Sequence, residues 1–287
     1  MKKGFFLAAV VSLALLLMPL AAFAGVNGVD VGGTSVANVL VNEDHLSTRG
    51  WAWHASTSTL MLNSNYNNAP SNSDYIYFDC SPTDTIRLIY AGNVTIDGDS
   101  YVALECKGNL EIASSSGLLT LYSTGDSAIF CNNGGLIIRA DAKIDARSHA
   151  SGVEVIGTYG DIIIEDNASV IVTSTGSHMD GIYSYDGSIV IDTTGSVTVD
   201  VLTAPSGHAL YSGQNDIYIQ KGSVDITVDN AARAFSAIPV INNIADVYVN
   251  GKHYGSSSGG GGGCNFGWGA YILIALAAFT LRSRHRN

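Results

Sequence analysis

The sequence predicts an all-β protein, a right-handed parallel β-helix of about six to seven coils with an N-terminal cap and a C-terminal hydrophobic helix. Short runs rich in Val, Ile, Thr and Tyr alternate with Gly, Asn and Asp, which is the composition of strands and turns. Apolar residues spaced three and four apart over a dozen positions do not occur between residues 25 and 250, so almost no helix is expected there. A third observation, an internal repeat, supplies the coils.

The first strand of the repeat begins with a small residue followed by an apolar one. Its five copies start 24 to 29 residues apart. They are Ala103-Leu104-Glu105-Cys106, Ala128-Ile129-Phe130-Cys131, Gly152-Val153-Glu154-Val155, Gly181-Ile182-Tyr183-Ser184 and Ala209-Leu210-Tyr211-Ser212.

Two more apolar segments follow each copy. The second segments are Leu110-Glu111-Ile112, Leu136-Ile137-Ile138, Ile162-Ile163-Ile164, Ile189-Val190-Ile191 and Ile217-Tyr218-Ile219. The third include Ile144, Val170-Ile171-Val172, Val197-Thr198-Val199 and Val224-Asp225-Ile226. Three strands per unit predict one coil of a β-helix over residues 74–252, because a unit buries its inward residues only by stacking on neighbours. A β-sandwich is the alternative, but its connections do not usually keep a constant three-strand register.

Residues 25–73 lack the repeat and are expected to cap the first coil, because an open coil end exposes strand edges. Trp51 and Trp53 lie at alternate positions just before a strand in this segment. Large aromatic side chains bury much area, so we expect the pair to seal the first coil. The functional alternative is a sugar-stacking pair.

The first 24 residues have the organisation of a signal peptide. Lys2 and Lys3 precede a long apolar stretch, and Ala22-Phe23-Ala24 suits cleavage before Gly25. A transmembrane anchor is the alternative, but the small-residue exit favours cleavage. We therefore expect the chain to be exported.

The C-terminal end combines a Ser/Gly linker (253–263) with a tail (264–287) that begins Cys264-Asn265-Phe266-Gly267-Trp268-Gly269 and ends in an apolar run and three arginines. This order of elements resembles the Synerg-CTERM sorting domains of exported bacterial proteins. The resemblance covers about the last 30 residues and implies membrane tethering through the tail, with a sorting protease acting near Gly263 and Cys264. It places the protein at the cell surface or envelope. An ordinary thiol at the membrane interface is the alternative for Cys264.

The part between the two ends is strongly acidic. Without the basic residues of the ends it has 9 basic and 25 acidic residues, a formal charge near −16. Nucleic acid is not expected as a partner, because phosphate binding needs clustered Lys and Arg. An acidic surface attracts cations or maintains solubility.

Cys80, Cys106 and Cys131 are expected at equivalent inward positions of consecutive coils. The same ladder would continue through Val155, Ser184 and Ser212. One interpretation is a buried stack of small side chains. The other is a disulfide between adjacent rungs, which the spacing and an exported location permit.

His149, His178 and His208 each precede a predicted first strand, so stacked turns would bring them near one another. With Asp180 they could bind a divalent metal, since imidazole and carboxylate are common ligands. The alternative is ordinary stacking of polar turn residues at the surface.

Two outward rows are unusually apolar for a solvent-exposed surface. They are Phe130, Glu154, Tyr183 and Tyr211 on the first strand and Ile137, Ile163, Val190, Tyr218 and Tyr248 on the second. Such a patch marks an interaction site or a surface that another segment covers. We expect Tyr183, Tyr185, Tyr211 and Tyr218 to present aromatic faces to a polysaccharide. The alternative is coverage by the cap or the C-terminal segment.

The unit from Gly181 to Ile191 (GIYSYDGSIVI) resembles the coils of β-helical carbohydrate-binding domains of bacterial surface proteins. This resemblance covers about residues 75–250. It implies polysaccharide binding with calcium as a candidate cofactor, and it carries no transferable set of ligand residues.

The fold also suggests enzymes, because parallel β-helices include pectate lyases and polygalacturonases. A glycosidase needs two acids at a defined separation. This chain has no Asp-Asp pair and no Asn-Thr-Asp, and its acids are scattered one or two to a coil. We therefore expect a non-catalytic polysaccharide-binding protein tethered at the surface. The alternatives are a structural or adhesive rod with a protein or envelope partner and, less favoured, a lyase-like or glycosidase enzyme.

Overall fold

The computed structural model describes residues 26–36, 38–66, 75–177, 180–201, 207–214 and 216–254. Within them the protein is all-β, with single-turn 3₁₀ segments at Ala55–Thr57 and Ala231–Arg233 and no α-helix. None of these residues forms a helix with the length and apolar character needed to cross a membrane. The predicted signal peptide and the sorting tail, with its hydrophobic helix, lie outside the described residues.

The N-terminal segment adds antiparallel strands next to the first coil. Strand β1 pairs with β2 and, also antiparallel, with the first strand of coil 1, while β3, β4 and β5 form an antiparallel meander. Only β5 joins the coils in parallel orientation. The five strands are β1 (Val26–Val31), β2 (Thr34–Ser35), β3 (Glu43–His45), β4 (Trp51–His54) and β5 (Thr59–Asn63).

Seven coils follow, which confirms the predicted parallel β-helix and its coil number. Coil 1 comprises β6 (Ile76–Cys80), β7 (Thr85–Ala91) and β8 (Val94–Asp97), and coil 2 comprises β9 (Leu104–Cys106), β10 (Asn109–Ser116) and β11 (Leu119–Ser123). Coil 3 comprises β12 (Ile129–Cys131), β13 (Leu136–Ile138) and β14 (Lys143–Ser148), and coil 4 comprises β15 (Ile156–Thr158), β16 (Ile162–Asp166) and β17 (Ser169–Ser174).

In the later coils the second and third strands become continuous. Coil 5 comprises β18 (Ile182–Ser184) and β19 (Ile189–Val201), and coil 6 comprises β20 (Leu210–Ser212) and β21 (Ile217–Val228). Coil 7 contains a bridge at Phe235, β22 (Val240–Ile241) and β23 (Ala245–Val249), against which β24 (Lys252–His253) turns back antiparallel. We call the stacked first, second and third strands the first, second and third face.

The second and third faces have the register that the repeat predicts. On the second face Leu110, Leu136, Ile162, Ile189 and Ile217 are successive partners in parallel pairing. On the third face Ile144, Val170, Val197 and Val224 are partners in the same way. Their side chains are at most 1% exposed, so the apolar lumen runs through the stack. Each fully buried Ile, Leu or Val contributes about 1.5–3 kcal/mol.

The first face departs from the predicted register at coil 4. Ile129 pairs with Ile156 and Cys131 with Thr158, three residues later than the alignment of Gly152-Val153-Glu154-Val155 implied. The inward corner position is therefore Thr158, not Val155, and the outward position is Gly157, not Glu154. The physical reason is hydrogen bonding, because the Thr158 hydroxyl donates to the Gly160 carbonyl at 2.6 Å and a valine cannot.

One tyrosine lies inside the coils. Tyr90 is fully buried on the second face of coil 1, and its hydroxyl donates to the Lys143 carbonyl of coil 3 at 2.6 Å. The same oxygen accepts the Lys143 amide at 2.5 Å. This side chain ties coils that are two units apart, and both polar groups of the Lys143 backbone are satisfied by it.

Candidate functional site

A continuous row of aromatic rings lies on the outer surface of the first face. The tyrosine row consists of Phe130, Tyr159, Tyr185, Tyr183 and Tyr211, in order of contact. Tyr159 stacks on Tyr185 with centroids 4.8 Å apart and planes 12° apart, and Tyr183 stacks on Tyr211 at 4.4 Å and 4°. Tyr183 and Tyr185 join the two pairs at 4.3 Å, and Phe130 meets Tyr159 edge-on at 6.3 Å. The row crosses coils 3 to 6.

Strand register positions these rings. Tyr183 and Tyr211 are parallel partners at the outward position of their strands. Tyr159 and Tyr185 each follow the last residue of a first strand, one coil apart. Because neighbouring strands lie about 4.8 Å apart, side chains at equivalent positions meet at stacking distance. Each such aromatic pair contributes about 0.5–1.5 kcal/mol beyond its buried area.

A glycine interrupts the outward positions and makes room for a carboxylate. Gly157 lies between Phe130 and Tyr183 in the register. A Cβ at Gly157 would lie only 2.1 Å from Glu154 Oε1, which shows that the Glu154 side chain folds over this backbone. Glu154 is 7% exposed, and the Tyr185 hydroxyl donates to its two oxygens at 3.4 and 3.5 Å.

A second acid lies at the equivalent position one coil later. Asp180 Oδ1 accepts the His208 amide at 2.5 Å and lies 3.5 Å from His208 Nδ1. The His208 ring in turn meets Tyr211 at 5.4 Å. Glu154, Asp180 and His208 therefore form a polar column beside the tyrosine row.

The electrostatics of the column are set by burial. Desolvation raises the pKa of the Glu154 and Asp180 carboxyls above their ordinary values, and the neighbouring acids Asp180 and Asp126 raise that of Glu154 further. Burial also raises the pKa of Tyr183 to about 12 and, in the same direction, that of Tyr185. The hydroxyls of these two tyrosines therefore stay protonated and can donate hydrogen bonds at neutral pH.

Three of the four predicted carbohydrate-binding tyrosines are brought together, and the fourth is not. Tyr183, Tyr185 and Tyr211 belong to the row, whereas Tyr218 lies on the second face, where it pairs with Val190. Tyr248, expected on the second face, pairs with Asp225 on the third. The sequence interpretation missed Tyr159, and it placed Glu154 at the outward strand position that Gly157 occupies. The correct coil 4 register would have revealed Tyr159, since Thr158-Tyr159 then aligns with Ser184-Tyr185.

The two tryptophans are buried. Trp51 is 2% exposed and Trp53 0%, and Trp53 Nε1 donates to the Val39 carbonyl at 2.9 Å. Neither ring offers a face to a sugar, so their position agrees with packing against the first coil.

The two described histidines of the predicted metal site lie at different points of the connection between the third strand of one coil and the first strand of the next. His149 follows the third strand of coil 3, and its Nδ1 contacts Thr175 Oγ1 at 2.9 Å. His208 instead lies just before the first strand of coil 6, beside Asp180. His178 lies outside the described residues. Within the described part of the chain, no three His, Cys, Asp or Glu side chains are placed to hold a metal ion.

The cysteine ladder is built differently from the prediction. Cys106 and Cys131 are partners, but Cys106 pairs on its other side with Phe78, so Cys80 lies two residues beyond the expected rung. The ladder continues through Thr158, Ser184 and Ser212. All three cysteines are buried and unbridged. The reason for the offset is the longer corner of coil 1, in which residues 81–84 precede the second strand.

The fold and these side chains define a β-solenoid with an aromatic and acidic patch on its outer surface. Comparison with family models, with curated proteins and with solved structures found no match.

Proposed function

We propose that this protein binds polysaccharide along the tyrosine row, without catalytic turnover, as an exported protein tethered at the cell surface. The observation that supports it most is the unbroken contact of four tyrosine rings across three coils, beside two partly buried carboxylates. Binding sites for small polar ligands combine aromatic walls with a few placed polar groups. The tyrosine row supplies the aromatic wall, and the polar column of Glu154, Asp180 and His208 supplies the polar groups.

The stacking defines how a sugar chain would contact the row. Facing rings such as Tyr183 and Tyr211 cover each other, so their edges and hydroxyls are what they present to a ligand. Tyr159, at the end of the stack, is 39% exposed and offers the largest ring area. We therefore assign the main apolar contact to Tyr159 and the hydrogen bonds to the tyrosine hydroxyls, Glu154 and Asp180.

The location rests on the two ends of the chain. The leader pattern before Gly25 supports export, and the tail supports membrane tethering and processing near Gly263 and Cys264 by a sorting protease. Residues 25–73 are proposed to cap the first coil, since their antiparallel strands extend two of its faces.

Glycan-array binding of the purified full chain tests the proposal, run with calcium and again with EDTA. We expect binding to at least one glycan class and a loss of about tenfold for Tyr159→Ala, since one aromatic contact contributes about 0.5–1.5 kcal/mol beyond its buried area and tenfold corresponds to about 1.4 kcal/mol. Tyr218→Ala, on the second face, is the matched control and should bind normally. An array without bound glycan in both conditions would rule the proposal out. Release of unsaturated product from polygalacturonate would instead establish an enzyme.

A structural or adhesive rod with a protein or envelope partner is the second candidate. It is favoured by the exposed apolar side chains Ile238, Val240 and Ile244 at coil 7, which are 89%, 50% and 64% exposed. Exposed apolar groups of this kind mark interaction surfaces. Sedimentation with isolated envelopes, compared between the native chain and the Ile238→Asp/Ile244→Asp variant, tests this function; equal sedimentation of the two would exclude this surface.

A further inference from the structure

Among the residues that the structure describes, no basic side chain pairs with the carboxylate of Glu154. Its polar side-chain contact is the Tyr185 hydroxyl, and the ion pairs found among the described residues do not include it. By contrast, the buried Glu111 of the second face is held between Arg87 at 3.5 Å and Arg139 at 2.7 Å. Within the described part of the chain, one buried glutamate is therefore neutralised by arginines and the other has no cationic side chain beside it.

The surroundings of Glu154 are negative and lined by rings. Asp180 and Asp126 are close enough to act on its ionisation, and Tyr183 and Tyr185 lie against it. An anionic sugar would be repelled by this field. A neutral sugar would leave the charge uncompensated, which is costly for a buried group.

A ligand with an ammonium group fits each of these features. An ammonium donates charge-assisted hydrogen bonds to a carboxylate, which are about twice as strong as neutral ones. It is also attracted to the electron-rich faces and edges of neighbouring tyrosines when it lies over a ring. The strongly acidic net charge of the coils would draw a polycationic chain toward the surface.

We infer that the tyrosine row selects polysaccharides carrying free amino sugars, with the ammonium bound to the Glu154 carboxylate, which itself lies over the backbone of Gly157. This inference rests on the proposed glycan binding and adds the chemical class of the sugar. Asp180, one coil away at the equivalent position, provides the next carboxylate along the same column.

Three hexasaccharides with the same β-1,4 backbone test the inference, because they differ only at carbon 2. They are the glucosamine hexamer, which carries ammonium, the N-acetylglucosamine hexamer, which carries a neutral amide, and cellohexaose, which carries a hydroxyl. Calorimetry with the full chain at about pH 6 should show the glucosamine hexamer binding about tenfold tighter than the other two, the difference expected for one charged hydrogen bond.

Glu154→Gln keeps the size of the side chain and removes its charge. We expect it to abolish the preference for the glucosamine hexamer, so that the three hexamers bind alike. Glu165→Gln is the matched control, since Glu165 lies in the same coil on the second face, 3.9 Å from Arg139. Circular dichroism melting of both variants shows whether they fold.

The outcomes separate the inference from the proposed function. Equal binding of the three hexamers, or an unchanged preference in Glu154→Gln, would overturn the amino-sugar inference and leave glycan binding standing. Failure of the glucosamine hexamer to bind, while the array finds another glycan, would also overturn it. An array that finds no glycan at all removes the proposed function itself.

Discussion

The sulfur atoms of Cys80 and Cys106 lie 3.7 Å apart in the buried corner where the first strands of coils 1 and 2 end. Cys106 pairs in the sheet with Phe78, so the contact comes from the extra length of the β6 strand and not from ladder register. The hydrogen bond between the two thiols lowers the pKa of Cys80, and the same contact together with burial raises the pKa of Cys106. Cys80 is therefore the thiol that ionises first.

This geometry predicts that oxidation joins Cys80 to Cys106 and leaves Cys131 as a free thiol. A closed loop with a separation of 26 residues would stabilise the fold by about 3 kcal/mol through the unfolded state. Refolding with oxidised glutathione, followed by alkylation and peptide mass spectrometry, identifies the bridge. Cys131→Ser should form it equally well. A Cys106–Cys131 bridge would contradict the prediction.

The interior hydroxyl of Tyr90 leads to a stability prediction. Tyr90→Phe removes one oxygen and leaves the part-buried Lys143 amide and carbonyl without the hydroxyl partner. Loss of a buried hydrogen-bond partner costs about 1–3 kcal/mol. Urea unfolding should show this decrease, whereas Tyr122→Phe, at a half-buried outward position of the third face, should unfold like the native protein. Equal stability of Tyr90→Phe would mean that water replaces the hydroxyl.

The acids beside the tyrosine row predict an unusual dependence of stability on pH. Burial raises the pKa of the Glu154, Asp180 and Glu105 carboxyls, so the folded state binds their protons more tightly than the unfolded chain. That contribution is fully present below the unfolded pKa values of about 4 and is lost as pH rises through the folded values. These groups therefore favour a higher melting temperature as pH falls from 7 toward 5.

The Glu154→Gln variant measures how much of this pH dependence of stability comes from the Glu154 carboxyl. The groups facing Glu154 are Tyr183, Tyr185, Asp180 and Asp126, and none of them supplies a positive charge. The variant should melt higher than the native chain at pH 7 and show a smaller change between pH 7 and pH 5; for a domain of this size each kcal/mol shifts the midpoint by about 2–4 °C. Asp225→Asn, at an exposed position of the third face, serves as control. A lower melting temperature for Glu154→Gln at pH 7 would show that the ionised carboxylate is stabilising.

Alanine substitutions at two glycines with positive φ distinguish the stability cost of backbone strain from the cost of disturbing the contact between coils. Gly117 has φ +89°, and a Cβ there would lie 2.1 Å from the Gly92 carbonyl oxygen of the preceding coil. Gly152 has φ +83° and open space around it. We expect Gly152→Ala to cost about 1–2 kcal/mol from the left-handed conformation and Gly117→Ala about 2–5 kcal/mol, because the coils must also separate. Chemical unfolding of the two variants gives the difference, and similar costs would show that the coils shift freely.

The repeat made the second and third faces predictable and the first face only partly so. Inward Ile, Leu and Val at alternate positions identify the longer strands, because burial there is purely apolar. At the first face the strands are three residues long, and the decisive inward residue of coil 4 is Thr158, chosen by a hydrogen bond to a turn. A pattern based on hydrophobicity prefers Val155 at that position and therefore shifts the strand.

The face that carries the candidate site could be predicted from the sequence, but the contacts between its side chains could not. Tyr183 and Tyr211 could be placed on one row from their spacing, since equivalent residues of adjacent coils must be neighbours. The contact of Glu154 with Tyr185 depends on the absent side chain of Gly157, which becomes visible only with the correct register. The stacking of Tyr159 on Tyr185 likewise becomes visible only with the correct register.

The missing side chain at Gly157 also makes the position of the Glu154 carboxylate a local property of coils 4 and 5. Because each coil packs mainly on the next, a duplicated unit inserted between coils 1 and 2 would lengthen the stack without changing the spacing around Glu154. A serine or alanine at position 157 would displace the carboxylate while keeping every strand. The length of the stack and the position of the Glu154 carboxylate can therefore be changed independently, the first by coil number and the second by a single outward residue.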